Sequence, residues 1–215
     1  MGLGQVGLSP AAGFELSVKG LGARKAGVEA LEMRELRVKL DLTKLLKRRV
    51  RITRITLVAP VVFLVRHKDG SFNFSGGRAA LGKTTAVNRV VVHQGRLVYT
   101  DKGTGRRVEA EGLELNLNNL VYGGRPGDGP LKKIFFAGDI RCAALKTDGL
   151  SVTGLSLWIN SGKGLFKADH LAFEAAGVAG GGSLLADINS GTPAYKLSYV
   201  SGRRAFRRRN RGGAG

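Results

Sequence analysis

The sequence predicts a mostly β chain, an extended, twisted antiparallel meander with one short helix. Three observations predict it. Apolar residues recur at every second position through much of the chain, the mark of strands with one buried and one wet face. Glycine is abundant, 33 of 215 residues against five prolines, about double ordinary usage. Helical patterns do not alternate with the strand patterns, which argues against a parallel α/β sheet.

The elements follow in order. Leu36, Val38 and Leu40 face away from Glu35, Arg37, Lys39 and Asp41. Asp41 is placed to cap a short helix over residues 42–48, with Leu42, Leu45 and Leu46 as its apolar stripe. From Ile52 to Leu57 the alternation slips once, between Ile52 and Ile55, which predicts a bulge. Val90 and Val92 then oppose Arg89, Val91 and His93, and Leu113, Leu115 and Leu117 oppose Glu114, Asn116 and Asn118. The habit returns in Leu155, Leu157 and Ile159, in Leu184, Ala186 and Ile188, and in Tyr195, Leu197 and Tyr199.

Turn signals separate these segments: Asp69-Gly70, Gly76-Gly77, Gln94-Gly95, Lys102-Gly103, Asp148-Gly149, Ser161-Gly162, Gly180-Gly181-Gly182 and Ser190-Gly191. Residues 123–133 (GGRPGDGPLKK) form a Pro/Gly linker, read as a long loop within one domain over residues 1–202. Residues 203–215 carry six arginines and no acid. They are expected to be disordered and foreign to the fold.

Several function classes lose ground here. A single cysteine, Cys142, excludes an internal disulfide framework and a multi-thiolate zinc site. His67, His93 and His170 stand far apart in sequence, with no metal-ligand spacing. No nucleophile, base and orienting acid can be nominated, so catalysis, cofactors and metals are not expected. Residues 77–84 spell a literal phosphate-loop pattern ending in Gly82-Lys83-Thr84, but the residues after it are β-branched and read as a strand. That chemistry needs a helix N-terminus there, so no nucleotide is expected. Gly2, Gly4 and Gly7 match a dinucleotide pattern with no strand before it, which makes them a decoy. The longest apolar run, Leu57 to Val65, is nine residues, against the roughly 20 a spanning helix needs. No secretory signal is read at the N-terminus.

Charge points to anionic partners. The chain has 35 Lys+Arg against 16 Asp+Glu, a formal net charge of +19, and it stays strongly basic without residues 203–215. The densest folded patch is Arg48, Arg49, Arg51 and Arg54. It reads as a solvated strand face, as a surface for anionic lipid headgroups, or as a nucleic-acid contact. Phe72, Phe74, Tyr99, Tyr122 and Trp158 do not interleave with arginines as a stacking platform would, so nucleic acid is the weakest of the three.

Four segments in order resemble the AsmA family of bacterial envelope proteins. Residues 36–60 are similar to its strand, short Leu-Leu helix and strand ending in Leu-x-x-Pro, with Pro60 at the proline. Residues 64–74 resemble its Asp-Gly-x-x-Asn turn, carried by Asp69, Gly70 and Asn73. Residues 87–117 resemble its hairpin, with Gly95 and Asp101 in place. Residues 150–199 are similar to its ending, through Gly181, Gly182, Asp187 and Pro193. The resemblance implies a β sheet that curls into an apolar groove conducting phospholipid, in support of outer-membrane assembly. It also implies an address on the periplasmic side of the inner membrane and envelope protein partners. The family's N-terminal membrane helix is missing from this sequence, and the Arg-rich end departs from its pattern.

An apolar strand face with no helices to cover it must curl on itself or hold apolar ligand. Candidate groove-lining residues are Leu36, Val38, Leu40, Ile55, Leu57, Val90, Val92, Leu113, Leu115 and Leu117. The competing expectation is a scaffolding β domain that docks its basic surface on membranes or proteins without holding lipid.

Overall fold

A computed structural model describes residues 6–9, 13–25, 28–41, 43, 51–73, 85–123, 130–189 and 193–201. Twelve strands form one large twisted sheet. They are β1 (Val6–Ser9), β2 (Gly13–Lys25), β3 (Val28–Leu40), β4 (Ile52–Val58), β5 (Val61–Arg66) and β6 (Thr85–Asp101). Then come β7 (Arg107–Tyr122), β8 (Ile134–Thr147), β9 (Leu150–Gly162), β10 (Leu165–Ala175), β11 (Val178–Asp187) and β12 (Ala194–Ser201). A single 3-10 turn among the described residues, Pro130–Lys133, precedes β8. Spatial order follows chain order apart from one lane, so nearly every pairing is an antiparallel neighbour contact.

The exception is instructive. β4 and β5 share one lane between β3 and β6, broken at Ala59-Pro60, where Ala59 takes φ 48°. Both run antiparallel to β3 but parallel to β6. β5 ends at Arg66 beside Asp101, the last residue of β6, while β6 begins at Thr85, so the meander becomes a mixed sheet at this point. Pro60 carries no N–H, which suits a lane break: its carbonyl accepts from Arg96 N–H (2.7 Å), while Ala59 N–H donates to the His93 carbonyl (2.8 Å).

Several turn signals proved to be something else. Gln94-Gly95 lies inside the 17-residue β6 as a bulge, with Gln94 at φ 55° and the register shifting on either side of Gly95. A Cβ at Gly95 would stand 2.9 Å from Val92 Cγ1 and 3.2 Å from Leu113 Cβ, so two side chains already fill that space. Gly180-Gly181-Gly182 lies inside β11, and the reversal is made earlier by Ala176 and Gly177 at φ 50° and 75°. A Cβ on Gly182 would come within 1.9 Å of the Ser198 carbonyl oxygen, so close strand approach, not turning, requires that glycine. The turn after β9 is Lys163-Gly164, just beyond Ser161-Gly162.

Other expectations hold. The slip before Ile55 is a bulge: Lys39 pairs with Arg54 and Leu40 with Ile52, leaving Thr53 extra. Asp69-Gly70, Lys102-Gly103 and Asp148-Gly149 lie at chain reversals. Asp41 Oδ1 accepts from the Thr43 N–H (3.0 Å) and hydroxyl (2.6 Å), as an N-cap does, and Thr43 is helical. The rest of the helix expected over 42–48 lies outside the described residues, as do Gly76-Gly77, Ser190-Gly191 and residues 203–215. β7 and β8 pair directly across the long loop, whose ends close through Gly123 N–H and the Lys133 carbonyl (2.9 Å). No helix among the described residues is long and apolar enough to cross a membrane.

Candidate functional site

Residues paired across neighbouring strands share a face. Following the register from β2 to β12 therefore reads out each face directly. One row runs Leu16, Val38, Ile55, Val90, Leu117, Gly138, Ile159, Ala168, Leu184, Leu197, through ten strands without a polar side chain. At strand spacings of about 4.8 Å it extends for roughly 40 Å. A second row, two residues away on each strand, runs Val18, Leu36, Leu57, Val92, Leu115, Ile140, Leu157. Leu40 continues this face next to Ile52, and Leu113 lies over Gly95. All ten predicted lining residues are thus on one face.

A third row was not legible in the sequence. It runs Ala23, Leu31, Val62, Leu97, Ala110, Leu145, Val152, Ala175, Val178. Simple alternation from Val92 would put Leu97 on the opposite face. Left-handed residues interrupt the alternation at Ala59 between β4 and β5, Gln94 in β6, Gly112 in β7, Gly154 in β9 and His170 in β10. Each added residue turns two successive side chains to one side. The would-be Cβ of Gly95 touching Val92 shows that the phase has flipped there, which returns Leu97 to the apolar face. The missed signal was a repeated five-residue step between apolar residues: Leu57 to Val62, Val92 to Leu97, Ala110 to Leu115, Ile140 to Leu145, and Val152 to Leu157.

Nothing among the described residues covers this face with a second layer. Every pair of elements in more than passing contact is a pair of hydrogen-bonded neighbours. Val90, Val92 and Ala168 are buried mid-sheet, yet no large described side chain is fully buried. Leu36, Val38, Leu40, Ile55, Leu57, Leu113, Leu115 and Leu117 are all half-buried. An ordinary two-layer β protein would bury such rows against a second sheet or helices.

The other face is polar and self-compensated over much of its area. Glu35 is gripped by Arg37 through two hydrogen bonds (2.9 and 2.8 Å) and by the Ser17 hydroxyl (2.7 Å). These contacts, Arg37 first, lower its pKa from 4.5 to about 2. Arg96 and Arg107 both hold Glu109 and likewise lower its pKa, with Arg96 the larger influence. Lys146 pairs with Glu111 and Lys167 with Asp169. One stretch is different: Lys39, Arg54 and Arg89 are consecutive register partners, so three cations stand side by side. Arg89 Nε donates to Asn116 Oδ1 (2.7 Å), and Arg51 reaches Asn88 Oδ1 (3.4 Å). Arg51 and Arg54 are exposed; Arg48 and Arg49 lie outside the described residues.

The Asp69, Gly70 and Asn73 turn is structural. Asp69 Oδ1 accepts from the Ser71 hydroxyl (2.7 Å) and N–H (2.9 Å), which lower its pKa, and Gly70 takes φ 82°. Buried Asn73 then acts as a substitute strand residue. Its Nδ2 donates to the Phe63 carbonyl (2.6 Å) and its Oδ1 accepts from Val65 N–H (2.9 Å). It satisfies β5 where pairing with β3, confined to Leu31 and Glu32, has ended. Asp101 works similarly at the β6–β7 turn, accepting from Gly103 N–H, then Thr104 N–H and Arg66.

Two open depressions, of about 500 and 240 Å³, combine charged residues with members of the second apolar row, Ile140 and Leu157 in the larger and Leu115 in the smaller. The larger involves Asp139, Arg141, Trp158 and His170; the smaller involves Arg89, His93, Glu114 and Asn116. His93 Nδ1 contacts Glu114 (2.9 Å), so part of that lining is already paired. Cys142 is buried, its thiol donates to the carbonyls of Ala144 (3.1 Å) and Glu111 (3.4 Å), and burial pushes its pKa up, the reverse of an activated thiol. No cluster of three or more His, Cys, Asp or Glu that could hold a metal occurs among the described residues. Residues 77–84 lie outside the described residues, and strand β6, not a helix, begins at Thr85.

The fold defines the chain as a single-layer β sheet with one apolar and one basic face. Compared with known proteins, the chain matches no protein-family model and no curated protein.

Proposed function

We propose that this chain is an AsmA-like envelope protein that holds phospholipid tails against its apolar sheet face, in support of outer-membrane assembly. The role is binding or conduction, not catalysis, and its place is the periplasmic side of the inner membrane. The observation that carries the reading is the set of three apolar rows crossing the sheet with no covering layer among the described residues. Acyl chains gain about 0.8 kcal/mol per buried methylene, so such a face retains lipid without specific polar contacts. Curling of the twisted sheet at its bulges would turn the face into a groove.

Native mass spectrometry of the purified chain, followed by solvent extraction, tests this. Phospholipid should co-purify, and should be lost from Leu115→Asp while Lys83→Ala keeps it. A folded chain without lipid would overturn the proposal. One observation favours a second reading, docking of the basic face on anionic membranes: the adjacent Lys39, Arg54 and Arg89. In that case Leu115→Asp would leave vesicle binding intact.

A further inference from the structure

The sheet ends on an edge with few of the usual protections. Among the described residues β12 is paired on one side only, with β11, and it is exposed along its whole length. Tyr195, Leu197, Tyr199 and Val200 are between 57 and 70% exposed, more than any other large apolar residues described. Natural edge strands are blunted by proline, bulges, inward charges or brevity. Here eight residues run in unbroken register with β11, and Lys196 is the one charge among them.

The sequence of this strand, AYKLSYVS, is self-complementary in one antiparallel register. Centred on Leu197, it sets Leu197 against its own copy, Tyr195 against Tyr199, and Lys196 against Ser198. No like charges then oppose each other directly, and aromatic residues meet in cross-strand pairs. Tyr195, Leu197 and Tyr199 pair with Ala186, Leu184 and Gly182, so they belong to the apolar face. A two-fold axis normal to the sheet would keep both apolar faces on the same side, and the ten-strand row would continue through Leu197 into the second copy.

We propose that β12 pairs with β12 of a second copy of this chain, giving a two-fold dimer with one continuous sheet. The contact is isologous and closes, unlike a head-to-tail pairing of β12 with β1, which would propagate into filaments. Net charge opposes association of two such basic chains, so salt should strengthen the dimer by screening. The proposal is independent of lipid binding.

Sedimentation velocity over a concentration series should show a doubled mass, with the dimer fraction rising with salt. Leu197→Lys should abolish the dimer while far-ultraviolet circular dichroism stays β. A separate variant, Leu197→Cys, should form a disulfide-linked dimer under mild oxidation, since only the isologous register brings position 197 against itself. Buried Cys142 serves as the internal control, because the unmodified chain should not cross-link. A monomer at every concentration and salt would overturn the proposal. So would open-ended assembly, or a dimer that Leu197→Cys fails to cross-link.

Discussion

The two faces of this sheet are built from the same strands, by alternate residues, and are stabilised in opposite ways. On the polar face, charged groups meet partners within their own surface: Glu35 with Arg37 and Ser17, Glu109 with Arg96 and Arg107. That face is complete as it stands in water. On the apolar face the rows through Val90 and Val92 have only lateral neighbours, and nothing described lies above them. The lesson is that alternation specifies a burial demand without specifying what meets it. A sandwich meets it with a second sheet; here the demand is left open, and this is where we place the ligand.

Four changes should break or sharpen that contrast. The largest effect is expected from Gly138→Ala, in the middle of the ten-strand row. A Cβ there would stand 2.1 Å from the Asn116 carbonyl oxygen and 2.8 Å from Leu117 Cα, so β7 and β8 must separate. A loss of about 3 kcal/mol is expected by chemical denaturation, with the apolar row interrupted on its central strands. Leu115→Asp should cost about 2–3 kcal/mol by placing a carboxylate between Val92 and Ile140, along with all co-purified lipid.

Acid should act through paired carboxylates, Glu35 and Glu109 on the polar face and Asp69 and Asp101 at turns. Glu35, Asp69, Asp101 and Glu109 have lowered pKa values in the fold. Their stabilisation is therefore complete above the ordinary carboxylate range and is lost as pH falls through the folded values. For Glu35 that window runs from 4.5 down to about 2. Thermal melts across it should show falling Tm, flattened in part by Glu35→Gln. Retained lipid should be unchanged until the fold itself is lost. The smallest effect is expected from Arg54→Glu, which replaces a repulsive ladder with Lys39 and Arg89 by an attractive one. Stability should rise, by no more than about 0.5 kcal/mol, while affinity for anionic vesicles falls if the basic face docks on them. A marked loss of stability instead would mean that Arg54 has a structural partner.

Much of this was legible in the residues because β structure has a period of two. The lining set from Leu36 to Leu117 could be picked by parity alone, and the extra residue at Thr53 announced itself as a broken parity. Parity failed where the backbone turned left-handed without ending a strand. Gln94-Gly95 looks like a hairpin signal, yet the register continues through it on both sides. Reading it as a turn divided β6 in two and hid the row through Leu97 and Ala110. Gly180-Gly181-Gly182 misled for another reason. Glycine serves both turning and close strand approach, and only the position of the Ser198 carbonyl distinguishes them.

By itself the sequence determined the strand class, the two-faced character and the apolar positions of the first two rows, because all three depend on local alternation and composition. Tertiary structure decided the rest. It put β4 and β5 in one lane parallel to β6, placed left-handed residues inside strands, and joined separate apolar triplets into rows across seven to ten strands. Those facts depend on register between segments far apart in the chain, and register is a property of pairs of strands that no single strand encodes.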